Sequence, residues 1–259
     1  MFTPLQELGE SYHFVFYDQR GSLLSPCPAA AISVQKHVED LERLRIALGL
    51  NRMDIVAHSM GTFLAMEYQE AHPEHVREMV LMGTIPPRRA PKTDADKKLG
   101  AEQQRISAEF IARPEIAAEL HKDGLDGDEK SLTPKQATNK WRIQFAAANV
   151  YHVDRWEQVR GGKAYFNTVA GQAAGKTMPP MWDFTTSLAK QTCPTWVIDG
   201  DHDYVDPAGR FFASAMAGDD RVHVVSIPDA GHVSWVDDPA GVAKELREAL
   251  ESGSHCGKE

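Results

Sequence analysis

The sequence predicts an α/β fold: a mostly parallel sheet with helices on its faces, interrupted by an inserted helical cap. Two observations predict it. Short apolar runs alternate with stretches of helical periodicity through residues 1–83 and again through 191–251, the rhythm of parallel strands joined by crossover helices. Between them, residues 84–190 carry helical patches and polar loops, among them Asp123–Lys130 (DGLDGDEK), and no clear strand. The organisation expected is therefore a core in two parts, 1–83 and 191–251, a cap over 84–190 and a flexible tail at 252–259.

The elements follow in order. His13–Asp18 (HFVFYD) is an apolar and aromatic run that stops at Gln19-Arg20-Gly21-Ser22, and it reads as a buried parallel strand. From Val34, apolar residues recur at Val38, Leu41, Leu44 and Leu48, a helical spacing with Ser33 as N-cap and Gly49 as the stop. Met53–Ala57 reads as a second strand, Gly61–Glu70 as a helix ending near His72-Pro73, and Glu78–Met82 as a third strand. Beyond the insertion, Thr195–Asp199 (TWVID) and Val222–Ile227 (VHVVSI) are strands, each followed by a polar loop and a helical segment. The aromatic residues of the insertion, Trp141, Phe145, Tyr151, Trp156, Tyr165, Phe166, Trp182 and Phe184, are expected to pack its helices, with a few walling an apolar pocket.

Bulk properties narrow the function classes. A chain of 259 residues with 42% hydrophobic and 25% charged residues can bury a full core without metals or disulfides. The net charge of −9 argues against a nucleic-acid partner. Cys27, Cys193 and Cys256 are odd in number and lack a C-x-x-C spacing, which argues against a disulfide framework or structural zinc; a reducing, cytoplasmic location is expected. The opening MFTPLQELGESYHF has no basic region followed by an apolar run, and nowhere do eighteen apolar residues run together, so no membrane partner is expected. No cofactor is called for, and no signal for oligomeric state is present.

The chemistry concentrates in three places. Ser59 lies in Ala57-His58-Ser59-Met60-Gly61, between a strand and a helix. A nucleophile on so tight a turn needs small neighbours, and the free N–H groups and dipole of the helix start favour a developing oxyanion. The usual pattern is G-x-S-x-G, and Ala57 takes the first position. Strand TWVID runs into Gly200-Asp201-His202-Asp203, and strand VHVVSI into Asp229-Ala230-Gly231-His232. Ser, then Asp, then His, each just after a strand, is the order a Ser-His-acid hydrolase on this sheet requires. All three would emerge at the C-terminal edge of the sheet, where open α/β folds bind ligands. Asp201 and Asp206 compete with Asp203 for the acid role; Asp203 is chosen. A calcium loop starting at Asp199 is rejected, because its sixth and twelfth positions hold Tyr204 and Arg210 where Gly and Glu are needed. His58, beside the nucleophile, reads first as structural and second as a substrate contact.

With these residues in place, the sequence resembles the α/β-hydrolase superfamily and, within it, the proline iminopeptidase-like serine peptidases. The resemblance is carried by Tyr17–Ser22 (YDQRGS), His58–Gly83, Pro194–Pro207 (PTWVIDGDHDYVDP) and Asp229–Trp235 (DAGHVSW). It implies that Asp18 and Arg20 are structural, that the helical cap closes over the site, and that acidic cap residues bind the free α-amine of a small-molecule or short-peptide substrate. Glu157, following Trp156, is the nearest candidate. The Met60 N–H is the implied oxyanion donor at the elbow.

Two departures accompany it. The elbow looks like that of general esterases rather than the Gly-Gly-Ser-Trp-Gly usual in iminopeptidases. Relatives also carry two or three strands and a His-Gly-Gly-type loop before the YDQRG strand, whereas sixteen residues precede Tyr17 here. The resemblance implies that a strand between those at His13 and Met53 is missing, with one oxyanion donor, and that the chain is N-terminally truncated. The expected function is serine hydrolysis of an amide or ester, an iminopeptidase-like aminopeptidase first and a carboxylesterase second, with an inactive fragment or binding protein as the non-enzyme reading.

Overall fold

A computed structural model describes residues 4–89, 94–160 and 167–253. Its elements in chain order are α1 (Pro4–Leu8), α2 (Val34–Ala47), β1 (Met53–His58), α3 (Met60–Ala71), β2 (Val76–Met82), β3 (Arg88–Arg89), α4 (Asp94–Ile111), α5 (Pro114–Lys122), α6 (Pro134–Asn149), α7 (Thr168–Gly175), β4 (Trp182–Asp183), α8 (Thr185–Leu188), β5 (Thr195–Gly200), α9 (Arg210–Ala215), β6 (Val222–Ile227), α10 (Ser234–Asp237) and α11 (Pro239–Gly253). The main sheet is parallel throughout, in the order β1-β2-β5-β6. All four strands therefore end at one edge, and the loops that leave them converge there.

The alternation of side chains across β2 and β5 builds a core on each face. Met79, Leu81 and Val197 pack on one side with Val38, Phe63, Met66, Tyr68 and Phe212. Val80, Met82, Trp196 and Ile198 pack on the other with Leu5, Leu8, Val242 and Leu246. Both central strands are nearly fully buried, and each large apolar side chain so placed contributes roughly 1.5–3 kcal/mol. The helix after Ser33 is capped as its sequence predicts, with the Ser33 hydroxyl accepting from the Lys36 N–H at 3.1 Å, and Gly49 stops it at φ +69°. Arg20 donates to both oxygens of Asp40, at 2.7 and 2.6 Å, and to the Ala31 carbonyl, which fastens the YDQRG turn to α2.

Residues 84–190 hold a core of their own, in which Ile116, Leu125, Ile143, Ala146, Val150 and Trp156 meet Val233 and Val236 from the segment after β6. Thr133 and Gln136 close a reciprocal capping box at the start of α6. The insertion is not strand-free: β3 and β4 pair antiparallel at its root. Each is two residues long, too short to leave a periodic signature.

Three further expectations need correction. His13–Asp18 forms no ladder; the segment faces β1 across a cavity of about 880 Å³, lined by Tyr12–Tyr17 on one side and Met53–His58 on the other. Hydrogen-bonded strands lie about 4.8 Å apart, and the cavity holds these two further apart than that. Second, Cys193 is disulfide-bonded, its partner lying outside the described residues, while Cys27 is free. An odd count leaves room for one bridge, and the cysteines no longer argue for a reducing compartment. Third, Ser252 and Gly253 belong to α11, where the Ser252 hydroxyl bonds the Glu78 carboxylate and accepts from the Trp196 indole. The rest of the expected tail, 254–259, lies outside the described residues, as do Tyr165 and Phe166. Among the described residues no helix is long and apolar enough to cross a membrane.

Candidate active site

Ser59 sits between β1 and α3 at φ 53°, ψ −126°. A residue with a Cβ adopts such a conformation at a cost of roughly 1–3 kcal/mol, and only when its surroundings impose it. Here the Ser59 N–H donates to the Met82 carbonyl at 3.0 Å, and its own carbonyl accepts from both the N–H and the hydroxyl of Thr62. The turn has room for Ala57 in place of glycine: a Cβ added at Gly61 would lie 3.8 Å from the Ala57 methyl, an ordinary contact. Met60 is the first residue of α3, so its N–H has no acceptor within the helix and joins the positive end of the dipole.

The loops after β5 and β6 bring the other two residues to Ser59. His232 Nε2 lies 2.9 Å from Ser59 Oγ, and His232 Nδ1 lies 2.9 and 3.1 Å from the two oxygens of Asp203. An ionised carboxylate only accepts, so Nδ1 carries the proton and Nε2 is left to accept the serine proton. Asp203 is wholly buried, and its Oδ1 also receives the Val205 N–H at 2.7 Å. Its competitors are engaged elsewhere. Asp201 faces His202 and the Ala230 N–H, and Asp206 receives the N–H groups of Phe211 and Phe212 at the start of α9.

Close backbone approach fixes this constellation. A Cβ on Gly83 would lie 2.8 Å from His58 Nε2 and 2.9 Å from the His232 ring, and Gly83 has φ +51°. A Cβ on Gly200 would stand 2.2 Å from the Ala230 carbonyl. Only glycine lets β2 and β5 end so near the histidine loop.

His58 is half-buried and lines the cavity beside β1. Its Nε2 faces the His232 carbonyl at 2.9 Å, its ring meets Trp235 edge-on at 4.6 Å, and burial, aided by His232, pushes its pKa down to about 3. It is neutral, and because a carbonyl only accepts, Nε2 is the protonated nitrogen. Trp156 is buried among Ile116, Ile143 and Val150 with its indole N–H on Glu119 at 2.9 Å, and Glu157 is exposed.

Two acids that sequence reasoning left unassigned complete the surroundings. Asp199 is fully buried at the end of β5, accepting from the Thr84 N–H and hydroxyl at 2.9 Å each. Burial, with the Asp203 and Asp206 charges behind it, pushes its carboxyl well above the ordinary range. Asp237 closes α10 and accepts three backbone N–H groups. Nothing in the sequence pattern marks Gly83 or Asp237, since their partners are ring faces and backbone.

The alpha/beta hydrolase fold model matches residues 1–239 of the chain. The protein belongs to the alpha/beta hydrolase family. Within it, the chain is 25% identical over 266 residues to a proline iminopeptidase of Heyndrickxia coagulans, covering 96% of this chain and 84% of that one. A shorter match, 39% identical over 83 residues, relates it to a proline iminopeptidase of Xylella fastidiosa and covers 31% of this chain and 26% of that one. Among solved structures, a thermophilic esterase from Thermogutta terrifontis superposes with a TM-score of 0.63 at 21% identity, over 97% of this chain and 84% of that one, a likeness of fold alone.

Proposed function

We propose that this alpha/beta hydrolase is a serine hydrolase that cleaves an amide or ester through an acyl-enzyme. The observation that carries the reading is the unbroken hydrogen-bond chain from Ser59 Oγ through His232 to Asp203, with both links at 2.9 Å. Ser59 Oγ attacks the substrate carbonyl while His232 Nε2 takes its proton. Asp203 holds the imidazole in the required tautomer and offsets the charge that develops on it. The Met60 N–H faces the oxyanion of the tetrahedral intermediate. Collapse of the intermediate expels the leaving group, which receives the proton from His232. Water, deprotonated by the same imidazole, then frees the acid and restores Ser59.

The relatives named proline iminopeptidases support an aminopeptidase acting on a short peptide. The elbow Ala57-His58-Ser59-Met60-Gly61 and the exposed position of Glu157 favour the second reading, a carboxylesterase. Ser59 should be labelled covalently by a fluorophosphonate, and Ser59→Ala should abolish the label; an unlabelled wild-type chain would overturn the hydrolase reading. Prolyl- and alanyl-anilides compared with N-blocked prolyl-anilide and short p-nitrophenyl esters decide the class. An aminopeptidase needs the free amine, and ester turnover with no free-amine amide cleavage would replace it with the esterase.

A further inference from the structure

His232 stands on a loop that is fastened to the turn at 149–152 as well as to the sheet, and one carboxylate accepts three of the backbone N–H groups involved. Asp237 Oδ2 accepts the N–H of Gly231, the residue before His232, and the N–H of Tyr151, each at 2.9 Å. Asp237 Oδ1 accepts the His152 N–H at 2.8 Å. Tyr151 and His152 form the turn by which the chain leaves α6. The contact is doubled: the Val233 N–H donates to the Asn149 carbonyl at 2.9 Å, and Arg155 donates to the Asp237 carbonyl. It is also close, since a Cβ on Gly231 would lie 2.7 Å from the Asn149 carbonyl oxygen. Val233 and Val236 belong to the cap's apolar core. Val233, just after His232, is thus bonded directly to the end of α6, and Gly231, just before it, is joined to the same turn through Asp237.

We propose that Asp237 is a positioning residue that ties His232 to the cap, so that the place of the general base depends on the place of the turn at 149–152. The inference rests on the serine-hydrolase reading. A carboxylate suits the task because it accepts from several N–H groups at once and has no hydrogen to set against them. An asparagine of the same shape keeps one oxygen and turns an NH₂ toward backbone donors. A general base displaced by about 1 Å can lower the rate by about 10²-fold.

The experiment uses the full chain and two readouts. In Asp237→Asn, hydrogen exchange of the amides at 150–153 and at 231–233 should speed up together, by tenfold or more. The rate of fluorophosphonate labelling of Ser59 should fall 10- to 100-fold in the same variant. Asp237→Glu should recover part of both losses. Arg155→Gln, which leaves the carboxylate intact, should produce the same paired change to a smaller extent and serves where Asp237→Asn does not fold. Faster exchange at 150–153 with 231–233 unchanged and labelling at the wild-type rate, in either variant, overturns the inference. A wild-type chain that takes no label overturns the hydrolase reading instead, and the exchange pattern still decides whether Asp237 couples the two segments.

Discussion

The two aspartates at the end of β5 stand four residues apart with different partners. In the proposed reaction Asp203 orients His232, whereas complete burial, with Asp203 and Asp206 nearby, pushes the Asp199 carboxyl well above the ordinary range. An amide in place of Asp199 would still accept from Thr84 through its one oxygen. Asp199→Asn should therefore change kcat/KM by less than about threefold. Asp203→Asn turns an NH₂ toward Nδ1, favours the wrong tautomer and should lower kcat by about 10⁴. Both variants should keep the wild-type circular dichroism spectrum, and ester hydrolysis by the pair is the measurement. Equal losses would mean that Asp199 is ionised and shares the acid role. Asp203, His232 and Ser59 were legible in the sequence because each follows an apolar run at a distance a loop can span. Asp199 was visible only as one of several carboxylates, since what distinguishes it is depth.

At the scale of elements, the N–H groups at the start of α9 are held by an acid, four residues ahead of the helix, whose proton the fold retains toward the neutral range. Asp206 caps this helix through Phe211 and Phe212, yet burial pushes its carboxyl from 3.8 up to about 7, against those two hydrogen bonds. The folded chain then binds a proton that the unfolded chain releases above about pH 4. Stability is fullest below the unfolded value and falls as pH rises from about 4 to about 7, by an amount on the order of a few kcal/mol. Asp206→Asn should flatten that slope, as urea unfolding at about pH 3.5 and about pH 8, on either side of that window, would show; an unchanged difference between the two pH values would locate the titration elsewhere. The strands and helices were read well where burial is two-sided, as in β2 and β5, or where a cap residue announces the start, as at Ser33. They were misread where a partner decides the outcome. His13–Asp18 has the composition of a strand but pairs with no strand among the described residues, and β3 and β4 exist only because the chain brings Arg88 and Asp183 together.

At the scale of the whole molecule, β1 is an edge of the main sheet that pairs with β2 alone, and its residues remain half-buried although four of the six are apolar. The cavity of about 880 Å³ beside it is walled by Leu41, Leu44, Leu48 and Leu64, and Val15, Phe16 and Tyr17 across from β1 are exposed. Apolar surface left in contact with water at roughly 25 cal/mol per Å² is stability that the fold does not gain, and a contiguous apolar groove of this kind takes up apolar ligands. The native chain should bind an anilinonaphthalene sulfonate dye saturably, with enhanced and blue-shifted emission, in buffer where its secondary structure is intact. Leu48, 45% exposed on the groove wall, can carry a charge without disturbing the core. Leu48→Lys should therefore weaken dye binding severalfold while leaving the thermal midpoint within about 2 °C of wild type, because exposed substitutions usually stay within about ±0.5 kcal/mol. Dye emission no higher than that of a fully packed hydrolase, or equal binding by Leu48→Lys, would show that the groove is filled in solution and that the segment ending at Tyr17 closes over β1.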